Sequence, residues 1–137
     1  MRREILFKGK KVDTGEWEEG YLFCSWGNKS YICRGVVSEG IKYVPIMREV
    51  ETETVCQFTG LTDKKGNKIF EGDILLAHLD VSHPENITYA QVTWNGFSWC
   101  TREKNRYNDD VMTACDCNVF EVCGNIFNGI SNFHLNG

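Results

Sequence analysis

The sequence has no excess of basic residues, no long apolar run and only two prolines. Its 15 Lys and Arg residues stand against 19 Asp and Glu residues, a net charge of −4. Proteins whose main task is to neutralise nucleic-acid phosphates usually carry a basic excess, so the charge balance argues against that class as a whole. The apolar runs all fall well short of the roughly 20 residues that span a bilayer.

A secretory signal and structural disulfides are also not expected. The opening "MRREILFKGKK" contains charges but no apolar segment followed by a small-residue cleavage site. Seven cysteines, an odd number, are then interpreted as reduced thiols in a cytoplasmic protein.

Helical periodicity is scarce, whereas turn and strand signals are abundant. Thirteen glycines alternate with short β-branched and aromatic runs. The first hairpin is predicted from "REILFKGKKV" to "DTGEWEEGYLF", and a further strand is predicted in "KSYICRGVV". The expected fold is all-β and mainly antiparallel, with small barrel-like or sandwich sheets, hairpins and little helix. One domain is expected over residues 1–137, with a seam near residues 45–53.

Two strand patterns carry possible chemistry. Glu49, Glu51 and Glu53 alternate in "REVETETVCQF", which would place three carboxylates on one strand face, as a metal ladder or, preferably, as a solvated surface. In "QVTWNGFSWC", Asn95-Gly96 predicts a two-residue type I′ hairpin in which Trp94 faces Phe97.

That aromatic hairpin has two interpretations. Val92, Trp94, Phe97 and Trp99 would share one face, which is preferred as part of the core. The alternative is a stacking surface for single-stranded nucleic acid, with contacts from Lys64, Lys65, Arg102 and Arg106.

The known site motifs fit poorly. In "TGLTDKKGNKIFEGDIL", five residues separate Gly60 from Gly66 and no Ser or Thr follows Lys68, so the stretch is not a phosphate-binding loop. It is interpreted as a polar turn that enters a buried strand. A single residue separates Cys115 from Cys117, a spacing that is not specific for zinc. No catalytic residue, metal site or cofactor is predicted.

The segment "TVCQFTGLTDKKGNKIFEGDI", together with "REILFKGKKVDTGEWEEGYL" and "VFEVCGNIF", resembles the YopX-like family of phage and prophage proteins. Cys56 departs from the family pattern, in which glycine is common, and the ending "NGISNFHLNG" lacks the usual "NPEL" type. The resemblance implies a β-rich, self-associating protein. Because the family's function is unknown, it implies structural roles only. The motif positions concerned are Thr59, Gly60, Leu61, Asp63, Gly66, Ile69, Phe70, Glu71, Gly72, Asp73 and Ile74.

Three functions are consistent with these observations. The first is a non-enzymatic phage accessory protein that binds protein or assembles with itself, with no membrane partner. The second is a single-stranded nucleic-acid-binding protein. The third is an enzyme that uses metal-bound carboxylates or cysteines, or proton transfer by Glu71 or Asp73.

Overall fold

Strands dominate the computed structural model, which describes residues 4–25, 27–79, 82–83, 85–103, 109–113 and 118–128. The strands are β1 (Phe7–Lys10), β2 (Trp17–Cys24), β3 (Ser30–Glu39), β4 (Lys42–Val50), β5 (Cys56–Thr62), β6 (Lys68–Phe70), β7 (Asp73–Ala77), β8 (Thr88–Trp94), β9 (Trp99–Glu103), β10 (Asp110–Val111) and β11 (Glu121–Asn125). Within these ranges the helical content is the 3-10 turn Thr52–Thr54 and one further 3-10 residue, Asn118. None of the described residues forms a helix long and apolar enough to cross a membrane.

The strands form two antiparallel sheets, in the orders β4-β3-β2-β1-β5-β6 and β10-β9-β8-β7-β11. The all-β prediction is therefore confirmed. Neither sheet closes into a barrel, so the barrel prediction is wrong and two open sheets replace it. The contacts divide the chain into two compact units, residues 1–58 and 59–137.

The first unit is a curled sheet. β1 pairs with β2 from Phe7↔Gly20 to Lys10↔Trp17, as the turn residues before Trp17 predict. Beyond β1, Lys11 forms an antiparallel bridge to Val50 at the end of β4. The inner side of the curl buries apolar side chains, including Ile32 and Val50.

Two glycines in the first unit allow strands to approach closely. A Cβ at Gly20 would lie 2.8 Å from the carbonyl carbon of Cys33 and would collide with its oxygen. A Cβ at Gly9 would lie 2.9 Å from the Val50 side chain. Any larger residue at Gly20 therefore has to displace backbone where β2 meets β3.

β3 and β4 form a long hairpin that extends past β2. β2 pairs with β3 only from Tyr21↔Cys33 to Cys24↔Ser30, whereas β3 and β4 remain paired out to Glu39↔Lys42. The connection is Gly40-Ile41, and Gly40 has φ +65 at the first central position, as a type II′ turn requires. We call residues 35–46 the hairpin arm.

The predicted row of three glutamates is wrong. β4 ends at Val50, and the 3-10 turn Thr52–Thr54 follows it, so Glu51 and Glu53 lie outside the strand. The Thr54 side chain stabilises this turn, because its hydroxyl donates to the Glu51 carbonyl at 2.7 Å and accepts from the Lys10 amide at 2.9 Å. The three glutamates would share a face only in a continuous strand. The local hydrogen bonds of the Thr54 side chain stabilise a 3-10 turn instead, so the strand does not continue through Glu51 and Glu53.

The second unit packs its core between β6, β7, β8 and the segment before β11. The buried cluster consists of Ile69, Leu75, Ala77, Ala90, Val92, Met112 and Phe120. Leu61, Trp99 and Val122 pack against it while partly exposed. β7 lies between β8 and β11 in the sheet, and consecutive side chains along it are buried, so both of its faces are covered. Burial on both faces explains its run of apolar residues.

Candidate functional site

The family-like motif at residues 59–74 forms two turns in the second unit. Gly60, Gly66 and Gly72 all have positive φ, at +88, +85 and +80. Side chains other than glycine rarely adopt these conformations, so each glycine permits a change of chain direction. Thr59 closes the first part of the motif, since its hydroxyl donates to the Ile69 carbonyl at 2.8 Å.

Asp63 organises the first turn and connects it to the last described strand. One carboxylate oxygen accepts hydrogen bonds from the amides of Lys65 at 2.9 Å and Asn67 at 2.8 Å. The other accepts from the Asn67 side-chain amide at 3.1 Å and from the amide of Val122 in β11 at 2.9 Å. The Lys64 amide donates to the Phe120 carbonyl at 3.1 Å, which adds a second connection between the same segments.

The ionised form of Asp63 is favoured by these donors. Burial alone raises the pKa of the Asp63 carboxyl, which is 5% exposed, because it removes water from the charge. Hydrogen bonds from Val122, Asn67 and Lys65 outweigh burial and place the pKa of Asp63 below its ordinary value. The carboxylate is thus held as an acceptor for backbone amides.

Asp73 connects the second turn to β11 in the same manner. One of its oxygens accepts from the Phe70 amide at 2.7 Å and the other from the Asn125 side-chain amide at 2.9 Å. Asn125 in turn accepts from the Phe127 amide at 3.0 Å. Gly72 adds backbone contacts, because its amide donates to Val92 and its carbonyl accepts from Ile126, both at 2.9 Å.

The remaining motif positions pack or cover these turns. Ile69, Phe70 and Ile74 are buried, Leu61 packs on the core, and Glu71 is half-buried in the turn before β7. The motif therefore links three strands, β5 to β7, to β11 through two carboxylates. Val122 and Asn125 complete these links. Sequence reasoning included both in the closing segment "VFEVCGNIF" but did not pair them with Asp63 and Asp73.

The basic residues considered for nucleic-acid contacts lie next to carboxylates. Lys65 Nζ is 2.8 Å and Lys64 Nζ is 4.0 Å from the Glu121 carboxylate. The guanidinium of Arg102 makes two contacts with Asp109, at 2.7 and 3.2 Å. Glu121 raises the pKa of the Lys65 ammonium, and Asp109 raises that of the Arg102 guanidinium, through direct hydrogen bonds and charge attraction. Arg106 lies outside the described residues.

The aromatic hairpin differs from the predicted one. Trp94 pairs with Trp99 and Thr93 with Cys100, so four residues, 95–98, form the connection. Gly96 has φ +99, but Asn95 does not have the positive φ that a type I′ turn needs. Instead, the Asn95 side chain accepts from the amides of Phe97 and Ser98, both at 2.8 Å, and thereby stabilises a wider loop.

This loop separates the aromatic residues. Trp94 and Trp99 touch edge to face with ring centroids 4.9 Å apart, and Trp99 packs on the core. Phe97 is 93% exposed at the loop. The predicted four-residue apolar face is therefore wrong, because Phe97 does not take part in it.

Metal-ligating side chains do not converge within the described ranges. No group of three or more His, Cys, Asp or Glu is placed there to hold a metal ion. Cys24, Cys33, Cys56, Cys100 and Cys123 are free thiols. Cys115 and Cys117 lie outside the described residues. Cys123 donates to the Ile74 carbonyl at 3.3 Å, and burial of the thiol, followed by repulsion from Glu121, raises its pKa.

Among the described residues, several exposed apolar side chains lie together in the first unit, on the outside of the curl. Cross-strand pairs share a face, so the pairings Tyr31↔Phe23, Cys33↔Tyr21, Cys33↔Met47 and Val36↔Pro45 define one side of β2, β3 and β4. We call it the outer face. Its exposed apolar members are Tyr21, Phe23, Val36, Tyr43 and Pro45, and Glu19 and Ser38 are exposed on the same side. Tyr31 and Met47 lie half-buried between them.

The exposure of this face is large for apolar side chains. The exposed fractions are 75% for Tyr43, 61% for Val36 and 58% for Tyr21. Single exposed apolar residues are ordinary, but contiguous ones mark interaction surfaces. Sequence analysis did not predict this surface, since strand alternation shows that two faces exist but not which face is covered.

Comparison with known proteins supports one assignment. No curated protein matches the chain. The family model described as "YopX protein" matches residues 6–129, which covers most of both units and the whole motif at residues 59–74. The chain belongs to the YopX family.

Proposed function

We propose that this chain is a non-enzymatic accessory protein of a phage or prophage that acts by binding protein in the cytoplasm of its bacterial host. The observation that carries the proposal is the outer face of the first unit. Tyr21, Phe23, Val36, Tyr43 and Pro45 are exposed there on three adjacent strands.

The composition of the outer face suits a protein partner. Tyr, Phe and Met are enriched in the centres of protein–protein interfaces, where charged residues are depleted. Between Tyr43 and Met47 the outer face carries no charged side chain, since Lys42 and Arg48 belong to the opposite face by strand alternation.

The motif carboxylates support a structural role over a catalytic one. Both oxygens of Asp63 and both oxygens of Asp73 accept hydrogen bonds from groups within the second unit. A general base has to reach a substrate proton. These carboxylates instead connect the turns to β11.

The ion pairs make nucleic-acid binding the weaker alternative. Lys64, Lys65 and Arg102 each lie within 4.0 Å of a carboxylate oxygen. A phosphate backbone would have to compete with Glu121 and Asp109 for these cations. An affinity dominated by phosphate contacts would also fall steeply with salt concentration.

The experiment is size-exclusion chromatography with light scattering on reduced protein, with the absorbance ratio at 260 and 280 nm recorded. We expect nucleic-acid-free protein that forms a defined oligomer or retains a protein partner, and we expect Tyr43→Lys to weaken that association. The proposal would be contradicted if the protein retained nucleic acid that salt removes and showed neither an oligomer nor a protein partner. That result would support the single-stranded nucleic-acid-binding alternative.

A further inference from the structure

Tyrosine hydroxyls of the outer face lack hydrogen-bond partners among the described residues. They belong to Tyr21 on β2, Tyr31 on β3 and Tyr43 on the hairpin arm. Tyr21 and Tyr43 are mostly exposed, and Tyr31 is half-buried. Because a phenolic O–H both donates and accepts hydrogen bonds, the outer face offers these groups to a ligand.

The aromatic rings of this face are also separate from one another. Phe23 and Tyr31 are cross-strand partners, and Tyr21 lies diagonally across from Tyr31, yet no ring contact joins them in the described part of the chain. Diagonal neighbours lie about 7–8 Å apart, and each van der Waals contact takes about 3.5–4.0 Å. A further flat ring therefore fits between two such side chains.

A carboxylate without an ion-pair partner borders these rings. Glu49 is the cross-strand partner of Tyr31, so a row of Phe23, Tyr31 and Glu49 crosses β2, β3 and β4. The Glu49 side chain is half-buried and forms no ion pair with any residue that the structure describes. A cationic group on a ligand would gain a partner there.

The charges at the β1 side of the face are already placed beside one another. Glu19 is the cross-strand partner of Lys8. Lys8 Nζ and Lys10 Nζ lie 4.6 and 5.6 Å from the centroid of the Trp17 ring. Glu49 is therefore the charge that determines which ligands suit the aromatic part of the face.

The edge of β4 is poorly suited to adding a strand. Near its end, the Glu49 carbonyl accepts from the Val12 amide at 3.0 Å and the Glu51 amide donates to the Lys10 carbonyl at 2.8 Å. Farther out, Pro45 has no amide hydrogen, and on an edge strand a proline nitrogen occupies the side that faces away from the sheet. A protein segment would therefore bind across the outer face and not along this edge.

A segment in the polyproline II conformation matches these groups. Its backbone makes no internal hydrogen bonds, so its carbonyls remain free to accept from tyrosine hydroxyls, whereas helices and sheets use theirs internally. Proline rings pack on aromatic surfaces, and a segment already extended in solution loses little entropy on binding.

The dimensions of the face set the length of such a segment. Tyr43 and Glu49 lie on the same side of β4, six positions apart, a distance of roughly 20 Å along a strand. A polyproline II segment rises about 3.1 Å per residue, so about six or seven residues would extend from Tyr43 to Glu49.

We propose that the outer face binds a proline-rich segment of a partner protein in the polyproline II conformation, with a Lys or Arg of that segment at Glu49. The inference rests on the proposed protein-binding function and names the class of partner. It follows from separate aromatic rings, tyrosine hydroxyls without partners and one unpaired carboxylate on the same face.

The test begins with selection of binders to the wild-type protein from a display library of fully random peptides. We expect enriched peptides to carry proline at every third position, since polyproline II has three residues per turn, and a Lys or Arg at one end. An enriched peptide is then synthesised with a fluorophore, and its binding is measured by fluorescence anisotropy.

Alanine substitutions locate the binding site. The dissociation constant of the peptide should rise on the order of tenfold or more in Tyr21→Ala and in Tyr43→Ala, because each removes an aromatic anchor. Phe97→Ala, which removes an exposed ring of the second unit, is the control and should bind as wild type does. Circular dichroism identifies a variant that fails to fold, and the other then carries the test.

A charge exchange tests the role of Glu49. Glu49→Lys should weaken binding of the basic peptide and strengthen binding of a matched peptide in which Glu replaces the Lys or Arg. Glu51→Lys changes an exposed carboxylate outside β4 and should leave the preference for the basic peptide unchanged.

The outcomes separate the ligand class from the protein-binding function. Enriched peptides without proline that still depend on Tyr21 and Tyr43 would overturn the ligand class and leave the function standing. Peptides that bind both alanine variants as tightly as wild type would overturn the site. If no peptide is enriched, the inference is rejected, and the function is then decided by the oligomer or retained partner seen in size-exclusion chromatography.

Discussion

Replacing Asp63 by Asn tests whether the family motif is a structural connection. The carboxylate accepts four hydrogen bonds, three of them from the backbone amides of Lys65, Asn67 and Val122. Asparagine keeps one acceptor oxygen and places an NH₂ group where the second oxygen was. That NH₂ group would face the Val122 amide, donor against donor.

The expected cost follows from the number of unpaired donors. Rotation of the Asn67 side chain can offer its oxygen to the new NH₂ group, which leaves the partly buried Val122 amide without a partner. A buried unsatisfied donor costs about 1–3 kcal/mol, and loss of the charged acceptor weakens the remaining bonds. We expect Asp63→Asn to lower the free energy of unfolding by about 2–4 kcal/mol.

Hydrogen exchange at the Val122 amide provides the local measurement. Exchange of the Val122 amide should accelerate by roughly 10- to 100-fold in Asp63→Asn, because each loss of about 1.4 kcal/mol in the free energy of opening increases the exchange rate tenfold. Urea unfolding, followed through Trp94 and Trp99 of the second unit, reports the overall loss. Asp13→Asn, an exposed carboxylate in the turn before β2, is the matched control and should lie within about 0.5 kcal/mol of wild type.

The pH dependence has a definite sign. The pKa of Asp63 is lower in the folded chain than its ordinary value near 4, so its stabilisation is complete above about pH 4 and is lost as pH falls through the folded pKa. Asp63→Asn should therefore remove part of the acid dependence. Unchanged Val122 exchange together with unchanged acid unfolding would refute the structural role of Asp63.

Two further predictions concern backbone contact and thiol reactivity. Gly20→Ala should lower the free energy of unfolding by about 3 kcal/mol, because the new Cβ collides with the Cys33 carbonyl. Gly27→Ala is the control and should be nearly neutral, since a Cβ there meets nothing within 4 Å. Equal urea-unfolding midpoints for the two variants would contradict the close approach of β2 and β3 at Gly20. Cys123 should react with iodoacetamide at pH 8 more slowly than a cysteine in an unstructured peptide, since its raised pKa reduces the thiolate fraction. Glu121→Gln should modestly increase the rate of this reaction, measured by labelling followed by mass spectrometry. A wild-type rate equal to that of the peptide would contradict the raised pKa.

Local chemistry was sufficient for the strands and many turns. Scarce helical periodicity and frequent glycines predicted the all-β class, and turn residues around Gly15 predicted the first hairpin. Local chemistry was insufficient where two turn conformations are both compatible with the same residues. The Asn95 side chain formed hydrogen bonds to Phe97 and Ser98 instead of adopting the positive φ of a type I′ turn, which changed the pairing of Trp94.

The motif shows the same division between sequence and tertiary structure. Its glycines and buried apolar positions, such as Gly66 and Ile69, follow from conformational freedom and hydrophobicity, which are properties of individual residues. The bonds of Asp63 to Val122 and of Asp73 to Asn125 join residues 59 and 52 positions apart. No local sequence pattern relates residues that far apart. Val122 and Asn125 could therefore be identified as the partners of Asp63 and Asp73 only from the tertiary structure, in which β11 pairs with β7.

The sequence by itself determined the all-β class, many of the turns and the YopX family. Tertiary structure decided which face of each strand is covered, because alternation defines two faces equally well and only packing chooses between them. Tyr21, Phe23 and Tyr43 alternate with neighbours of the opposite face as core residues would. The sheet of the first unit instead buries the opposite face, with Ile32 and Val50, and leaves these three side chains exposed. Lys65 and Arg102 read as cations available to phosphate, yet the folded chain places Glu121 and Asp109 beside them, since charges distant in sequence pair only when strands bring them together.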